Sequence, residues 1–170
     1  MILREADFSD ISAIWEILQQ AIEQRRQEGS EQWQNGYPNE TTVQDDITDG
    51  YAYVLDDNGT IVAYAAIIFG PEPAYNNIKG QWLTNGDYAA VHRVATANAA
   101  KGKGIATQLI KMIEAVSRER NVYSVKLDTN FDNVPMLRIL DKSGYTYCGE
   151  IFFNGAPRRA YEKILQYSNE

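Results

Sequence analysis

Residues 91–110 read VHRVATANAAKGKGIATQLI, and this stretch decides how the rest of the chain is interpreted. The run VHRVAT has the character of a strand, and the run IATQLI begins an apolar pattern with helical spacing. Gly102 and Gly104 stand between the two runs, with Lys101 and Lys103 beside them. Two glycines at such a junction let the backbone approach a ligand closely, and the amides of the first helical turn then face that ligand. Such a place binds an anion.

Two familiar phosphate-binding motifs do not fit this loop. The P-loop has four residues between its glycines and then Gly-Lys-Ser/Thr, which is absent here. The dinucleotide fingerprint requires a third glycine near position 107, where Thr107 stands. An anion site of another kind remains, and so does a plain strand-to-helix turn with solvated lysines.

The pattern on both sides of the loop predicts the order βααβββαβαββ, which indicates a mixed α/β sheet. An Asp-Asn-Gly turn at 57–59 predicts a tight hairpin within 51–70. One face of the helix after the loop is apolar, and Lys111, Glu114 and Arg118 are expected off that face. The other strands are predicted within 2–5, 89–96, 122–128, 145–153 and 159–165, and the helices within 11–22, 41–48, 105–116 and 134–145.

Length and composition favour a single domain over residues 1–170, because 170 residues with 44% hydrophobic content suffice for one core. We find no basic start followed by a long apolar region and no run of eighteen apolar residues, so we expect neither secretion nor a membrane partner. Cys148 is the only cysteine, which excludes an internal disulfide and a multi-cysteine metal site. We therefore expect a cytoplasmic protein without a metal.

The charge balance argues against a nucleic-acid partner. The chain has 16 basic and 23 acidic residues and a net charge of −7, which repels a phosphate backbone. An acidic surface suits a cationic partner such as an amine, although acidity that merely serves solubility explains it equally well.

Two motifs together resemble the GNAT superfamily of acyl-CoA-dependent N-acyltransferases. The family's pyrophosphate loop reads Gln/Arg-x-x-Gly-x-Gly/Ala, and Lys101, Gly104 and Ala106 occupy its three specified places, with lysine as a departure. The segment NVPMLRILDKSGY at 133–145 is similar to the family's Asn-x-x-Ala-x-x-Leu-Tyr-Glu-Lys-x-Gly-Phe helix. The resemblance implies a GNAT-like α/β (α+β) fold, with a mostly antiparallel central sheet of about seven strands and helices on both faces.

The resemblance also implies acetyl-CoA as cofactor and a set of residues that bind it. The pantetheine arm would lie along the strand before the loop, and the pyrophosphate would bind the loop amides. Asn133 would hydrogen-bond the pantetheine, or it serves only as a helix cap. The expected cofactor-binding residues are Val94, Ala95, Thr96, Lys101, Gly102, Lys103, Gly104, Ile105, Ala106, Asn133 and Met136.

His92 is the only histidine, and it occupies the strand position where many members of the family have a catalytic glutamate and some have a histidine. A neutral imidazole can accept the proton that an ammonium group must lose before it attacks a thioester. The resemblance therefore implies that His92 is the general base, whereas a lone histidine in a strand is ordinarily structural.

The family's usual proton donor to the departing thiolate is a tyrosine, and Leu140 stands in its place. Tyr145 or Tyr147 could substitute, or the thiolate leaves unassisted, since a thiol pKa is about 8.5. Cys148 could carry the acyl group in a ping-pong reaction, but its apolar strand favours a packing role.

The acceptor pocket is expected in the irregular segments, where binding residues commonly lie. The aromatic candidates for this pocket, given at the end of this paragraph, could equally pack in the hydrophobic core. Three hypotheses stay open: an N-acetyltransferase that acts on a small-molecule or peptide amine by direct attack, a non-catalytic acyl-CoA-binding or sensing module, and an unrelated α/β domain. A homodimer is also left open. The candidate acceptor-binding residues are Trp33, Tyr37, Tyr75, Trp82 and Phe153.

Overall fold

The computed structural model describes residues 1–167 and contains the predicted sheet, which has eight strands and is mostly antiparallel. Its strand order is β1-β2-β3-β5-β6-β8-β7-β4. The strands are β1 (Ile2–Glu5), β2 (Ala52–Asp57), β3 (Thr60–Phe69), β4 (Lys79–Gly80), β5 (Ala89–Thr96), β6 (Ser124–Thr129), β7 (Thr146–Phe153) and β8 (Ala156–Ile164). The helices are α1 (Ile11–Gln27), α2 (Glu40–Thr48), α3 (Ile105–Glu119) and α4 (Val134–Lys142).

These bounds confirm the predicted element order and add one strand to it. The additional strand is the two-residue β4, which lies within an irregular connection and has no apolar pattern of its own. The predicted hairpin turn is also confirmed, because Asn58 and Gly59 have φ values of 53° and 90°, as a tight turn between twisted strands requires.

The chain divides into two compact units. The first contains Met1–Ile67 and Arg93–Ile110, and the second contains Ile68–His92 and, of the described chain, residues 111–167. Strand β5 therefore contributes its first half to the second unit and its second half to the first.

In the first unit, strands β1, β2 and β3 form an antiparallel meander. Helix α1 packs its apolar face into the core of this unit, where Ile14 and Leu18 are fully buried. The N-terminal cap of α2 is Asn39, whose side chain accepts a hydrogen bond from Thr42 N. The core contains Ile14, Ile17, Leu18, Val43, Ala52, Val54, Tyr64 and Ala95.

In the second unit, β5 pairs with β6 in parallel over Ala89–Val91 and Val125–Leu127. Strands β6, β8, β7 and β4 continue this part of the sheet with antiparallel pairing. A hydrophobic cluster of Tyr75, Ala90, Ile151 and Ala160 lies on it, and residues of the connection at 70–88 pack against that cluster.

The prediction that Glu114 lies off the buried face of α3 is wrong. Its side chain is buried and accepts hydrogen bonds from Tyr145 Oη at 3.2 Å and from Lys163 Nζ at 3.0 Å. The ion pair with Lys163 and the bond from Tyr145 offset the cost of removing the carboxylate from water. Helical spacing alone carries no information about these distant partners.

No helix among residues 1–167 has the length and apolar character that crossing a membrane requires.

Gly149→Ala should strongly destabilise the fold. Gly149 has φ of 138°, and a Cβ there would overlap the carbonyl oxygen of Lys79 and lie 2.9 Å from Gly80 Cα. Strained backbone and overpacking each cost about 1–3 kcal/mol, so we expect a loss of about 3 kcal/mol in the free energy of unfolding. The matched control is Gly70→Ala, where the added Cβ meets nothing within 4 Å. Urea denaturation measures both variants, and equal midpoints would contradict the role of Gly149.

Candidate active site

The glycine loop lies between β5 and α3, as its sequence predicts. Gly102 and Gly104 have φ values of 76° and 72°, a left-handed conformation that favours glycine. The first helical hydrogen bond of α3 runs from Gln108 N to Gly104 O at 3.0 Å. The amides of Ile105, Ala106 and Thr107 therefore precede the first helical bond and stand at the positive end of the helix dipole.

The two loop lysines differ in their surroundings. The Lys103 side chain is exposed. Lys101 is exposed as well, but its ammonium donates a hydrogen bond to Gln24 Oε1 of α1, and partial desolvation lowers the pKa of this lysine. Lys101 thus borders an open groove along α1, which Asn98 also lines.

Strand β5 leads into this loop with an unusual backbone. Arg93 has φ of 54°, although it is neither glycine nor asparagine and lies inside a strand. After it, Val94–Thr96 belong to the first unit, where Ala97 N donates to Val62 O of β3 at 2.9 Å. The described pairing of β5 with β6 ends at Val91, before these residues.

The Arg93 side chain is held by a buried carboxylate. Its Nε and Nη2 donate to Asp46 Oδ2 at 2.9 Å and Oδ1 at 2.5 Å. Its Nη1 donates to Tyr37 Oη at 2.6 Å. Trp33, another predicted acceptor-binding residue of this unit, packs against the core cluster instead.

His92, in the second unit, lies between two carboxylates. Its Nε2 is 3.0 Å from Glu72 Oε2, and its Nδ1 is 3.7 Å from Asp128 Oδ1. Asp128 also accepts a hydrogen bond from Tyr75 Oη at 2.7 Å and lies 3.8 Å from Arg158 Nη1. Burial raises the pKa of the Asp128 carboxyl, although His92 and Tyr75 favour its ionised form.

Two predicted acceptor-binding residues lie beside His92, and a third packs against one of them. The rings of Tyr75 and Phe153 have centroids 5.9 and 6.2 Å from the imidazole. The Trp82 ring is 5.1 Å from Tyr75, and its Nε1 donates to Tyr75 O at 2.9 Å. Tyr75 is buried, whereas Trp82 and Phe153 are half-buried. Tyr75 of the irregular connection and Phe153 of β7 therefore border the histidine with aromatic rings.

Sequence reasoning missed the two carboxylates that face the histidine. Asp128 ends the apolar run VYSVKLD, and a charged residue at the end of a buried strand is a signal that could have identified it. Glu72 stands in the polar segment PEPAY, which has no periodicity to distinguish it from a solvated surface residue.

Asn133 and Met136 lie in the second unit, at the start of α4. Asn133 caps this helix, since its Oδ1 accepts a hydrogen bond from Met136 N at 3.5 Å. The capping role that the sequence left open is thus present, and it does not conflict with a second role for the side-chain amide.

The candidate proton donors differ in accessibility. Leu140 is fully buried. Tyr145 donates to Glu114, and burial raises the pKa of its hydroxyl. Tyr147 is exposed and packs edge-on against Tyr161 with 5.6 Å between ring centroids.

Cys148 has the surroundings of a packing residue. It is buried, and burial raises the pKa of its thiol, which disfavours the nucleophilic thiolate. Among the described residues, no group of three or more His, Cys, Asp or Glu side chains is arranged to hold a metal ion.

Comparison with known proteins identifies the family. The model of the acetyltransferase (GNAT) family matches residues 13–145, and the chain belongs to this family. A GNAT-family acetyltransferase structure from Streptococcus agalactiae is 36% identical, with a TM-score of 0.90 over 97% of this chain and 95% of that one. These matches confirm the predicted fold class.

Two more distant proteins are also similar to this chain. A streptothricin acetyltransferase of Escherichia coli is 26% identical over 69% of this chain, which spans only 64% of that relative's length. A Salmonella typhimurium acetyltransferase structure, solved with acetyl-CoA, is 17% identical and shares the fold with a TM-score of 0.69 over 100% of this chain and 96% of that one.

Asp128→Asn should stabilise the protein at neutral pH. Because burial raises the pKa of Asp128, the fold favours its protonated form. The associated stability is fully present below the unfolded pKa of about 3.9 and is lost as pH rises through the folded pKa. Asparagine mimics the protonated acid and keeps the acceptor for Tyr75. We therefore expect a higher melting temperature than the wild type at pH 7, with the difference vanishing near pH 3.

The exposed Asp141 of α4 provides the control, since Asp141→Asn should leave the melting temperature unchanged at both pH values. A lower melting temperature for Asp128→Asn at pH 7 would show that the ionised carboxylate supports the fold.

Proposed function

We propose that the protein transfers an acetyl group from acetyl-CoA to a primary amine of a small molecule or peptide, by direct attack in a ternary complex, with His92 as the proton acceptor. The observation that carries the proposal is the placement of His92, half-buried among aromatic rings and carboxylates, two residues before Val94 in the strand that leads to the glycine loop. Family membership supports the same chemistry.

The residues of this chain fit coenzyme A. The left-handed glycines leave open space, because a Cβ at either Gly102 or Gly104 would meet nothing within 4 Å. Val94–Thr96 offer backbone groups to an extended pantetheine arm, as an added strand would use them. Lys101, Lys103 and the amides of the first turn of α3 would bind the pyrophosphate. Bound acetyl-CoA would supply the activated thioester.

The amine must lose a proton before it can attack. A neutral imidazole accepts it at ordinary pH, and a positioned base contributes about 10²–10⁴-fold to the rate. Asn133, besides its capping role, would donate its side-chain amide to the pantetheine. Trp82 and Phe153 would line the acceptor's path to His92.

A non-catalytic acyl-CoA-binding module is the second candidate. Two observations favour it: the buried Leu140 cannot donate a proton, and both ring nitrogens of His92 face carboxylates. An assay that mixes the protein with acetyl-CoA and a panel of primary amines, and follows free thiol, separates the two. Thiol release that depends on the amine supports the enzyme, whereas tight acetyl-CoA binding without thiol release would favour the module.

Gly104→Asp should abolish acetyl-CoA binding, because a carboxylate would face the pyrophosphate. Gly104→Asn is the matched control, since asparagine tolerates the left-handed conformation about as well and carries no charge. Isothermal titration calorimetry should show binding that is at least about 10-fold weaker for the aspartate variant than for the asparagine variant. Equal affinities of these two variants would place the pyrophosphate elsewhere.

His92→Gln should retain acetyl-CoA binding and lose about 10²-fold or more in kcat/KM, the usual contribution of a positioned base. Steady-state kinetics with one amine across a pH series measures the effect. The pH dependence of kcat/KM should also change in the variant, because the group that accepts the proton is removed. Activity within about threefold of the wild type, with the same pH profile, would show that His92 is structural.

A further inference from the structure

We propose that Asp46 and Tyr37 are positioning residues for the cofactor. By holding the side chain of Arg93, they maintain the left-handed backbone of that residue and so set the direction in which Val94–Thr96 present their peptide groups. This inference rests on the function proposed above, in which those peptide groups bind the pantetheine arm of acetyl-CoA. It assigns a part in cofactor binding to a buried carboxylate of α2.

The backbone at Arg93 has a conformation that its residue type does not favour. Its φ is 54° in the interior of β5, where an L-residue ordinarily has extended backbone. A left-handed residue inside a strand is typical of a β-bulge, which bends the strand and redirects the groups that follow. Glycine takes this conformation at the least cost. Because the chain has arginine here, the surrounding contacts must maintain the conformation.

The guanidinium group of Arg93 is hydrogen-bonded through all three of its nitrogens. Nε donates to Asp46 Oδ2 at 2.9 Å, and Nη2 donates to Asp46 Oδ1 at 2.5 Å. Nη1 donates to Tyr37 Oη at 2.6 Å. A planar fork that is bonded in this way has one orientation. A change of the backbone conformation at Arg93 would move the guanidinium away from these partners.

The Asp46 carboxylate is itself anchored in the core of the first unit. Its side chain is only 6% exposed, and its Oδ2 also accepts a hydrogen bond from Tyr64 Oη of β3. The backbone oxygen of Asp46 accepts a hydrogen bond from Tyr51 N at 2.8 Å. Tyr64 and Val43, a residue of the same helix as Asp46, both belong to the buried core cluster. The arginine is therefore held by a part of the protein that cannot easily shift.

The segment Val94–Thr96 is fixed at its other end as well. Ala97 N donates to Val62 O of β3 at 2.9 Å, and Ala95 belongs to the same core cluster as Tyr64. All of these residues lie in the first unit. A segment with two fixed ends keeps one backbone path, so that a ligand which binds along it does not have to order it first.

Stability alone does not explain this arrangement. A left-handed residue other than glycine is unfavourable, and a buried ion pair adds little net stability because both partners lose their hydration. Backbone outliers of this kind cluster at ligand sites, where the surrounding structure maintains them. In this chain the outlier directly precedes the three residues that would hydrogen-bond the pantetheine.

Two double variants test the role of the backbone conformation, namely Asp46→Asn/Arg93→Gly and Asp46→Asn/Arg93→Ala. Both remove the ion pair, but glycine takes the left-handed conformation at little cost and alanine does not. In isothermal titration calorimetry, acetyl-CoA should bind the glycine variant with a Kd within about threefold of the wild type and the alanine variant about 10-fold more weakly. Asp45→Asn, which alters the neighbouring exposed carboxylate of α2, is the control and should match the wild type.

A second ligand distinguishes positioning of Val94–Thr96 from a general disturbance of the site. The phosphorylated ADP half of coenzyme A, which lacks pantetheine, should bind the two double variants equally. Thermal denaturation identifies the temperature range in which both variants are folded. If the alanine variant does not fold, the exposed Tyr37 allows the test, since Tyr37→Phe removes one hydrogen bond and should weaken acetyl-CoA binding about threefold.

Three outcomes would contradict the inference while leaving the proposed function intact. They are equal Kd values for acetyl-CoA in the two folded double variants, an equal loss of affinity for the ADP half in the alanine variant, and an unchanged Kd in Tyr37→Phe. If the wild type does not bind acetyl-CoA, the cofactor assignment fails and this inference fails with it. If the wild type binds acetyl-CoA but releases no thiol with any amine, the proposed catalysis fails and the positioning role stands.

Discussion

The ion pair between Arg93 and Asp46 is the constraint on which the backbone of strand β5 depends. Arg93 has a left-handed backbone inside β5, a conformation that costs about 1–3 kcal/mol outside glycine. Its side chain and that of Asp46 are 12% and 6% exposed, and they pair through two hydrogen bonds. A buried pair of this kind adds little net stability, but removing one partner is costly, so it fixes one backbone conformation. His92 immediately precedes Arg93 in β5, and Val94 immediately follows it.

A second buried carboxylate, that of Glu162, holds the irregular connection at 70–88 in place. Glu162 is fully buried and accepts hydrogen bonds from Leu83 N at 2.6 Å and Ser124 Oγ at 2.7 Å. Lys126, also buried, lies over the rings of Trp82 and Tyr88 at 4.5 and 4.1 Å. The connection has little regular secondary structure, and these side-chain contacts order it in place of a backbone ladder. Its aromatic residues are thereby kept close to the histidine.

In the proposed reaction, the step that most requires catalysis is deprotonation of the amine. With Leu140 fully buried and Tyr145 bonded to Glu114, neither position offers an accessible proton donor. A thiolate with a pKa of about 8.5 is a tolerable leaving group in water, whereas an alkylammonium cannot attack until it loses a proton. Proton removal is therefore the step for which a positioned base is most useful, and His92, between Glu72 and Asp128, is the candidate for that role.

The sequence by itself determined the features that depend on near neighbours. The place of the glycine loop between a strand and a helix, the turn at Asn58 and Gly59, and the order of the major strands follow from turn chemistry and apolar periodicity. The family resemblance, carried by the loop and by the segment after Asn133, predicted the fold class. His92 was identified as a candidate because it is the only histidine and stands at an informative position in its strand.

Only the tertiary structure decided which side chains surround that histidine. Glu72 lies 20 positions before it, and Asp128 lies on another strand, so no local pattern connects the three. The burial of Glu114 was mispredicted for the same reason, since its partners Tyr145 and Lys163 are distant in sequence. A carboxylate in a polar segment and one in a buried cluster look alike in sequence. What separates them is the cost of desolvation and the partners that offset it, and folding alone brings those partners together.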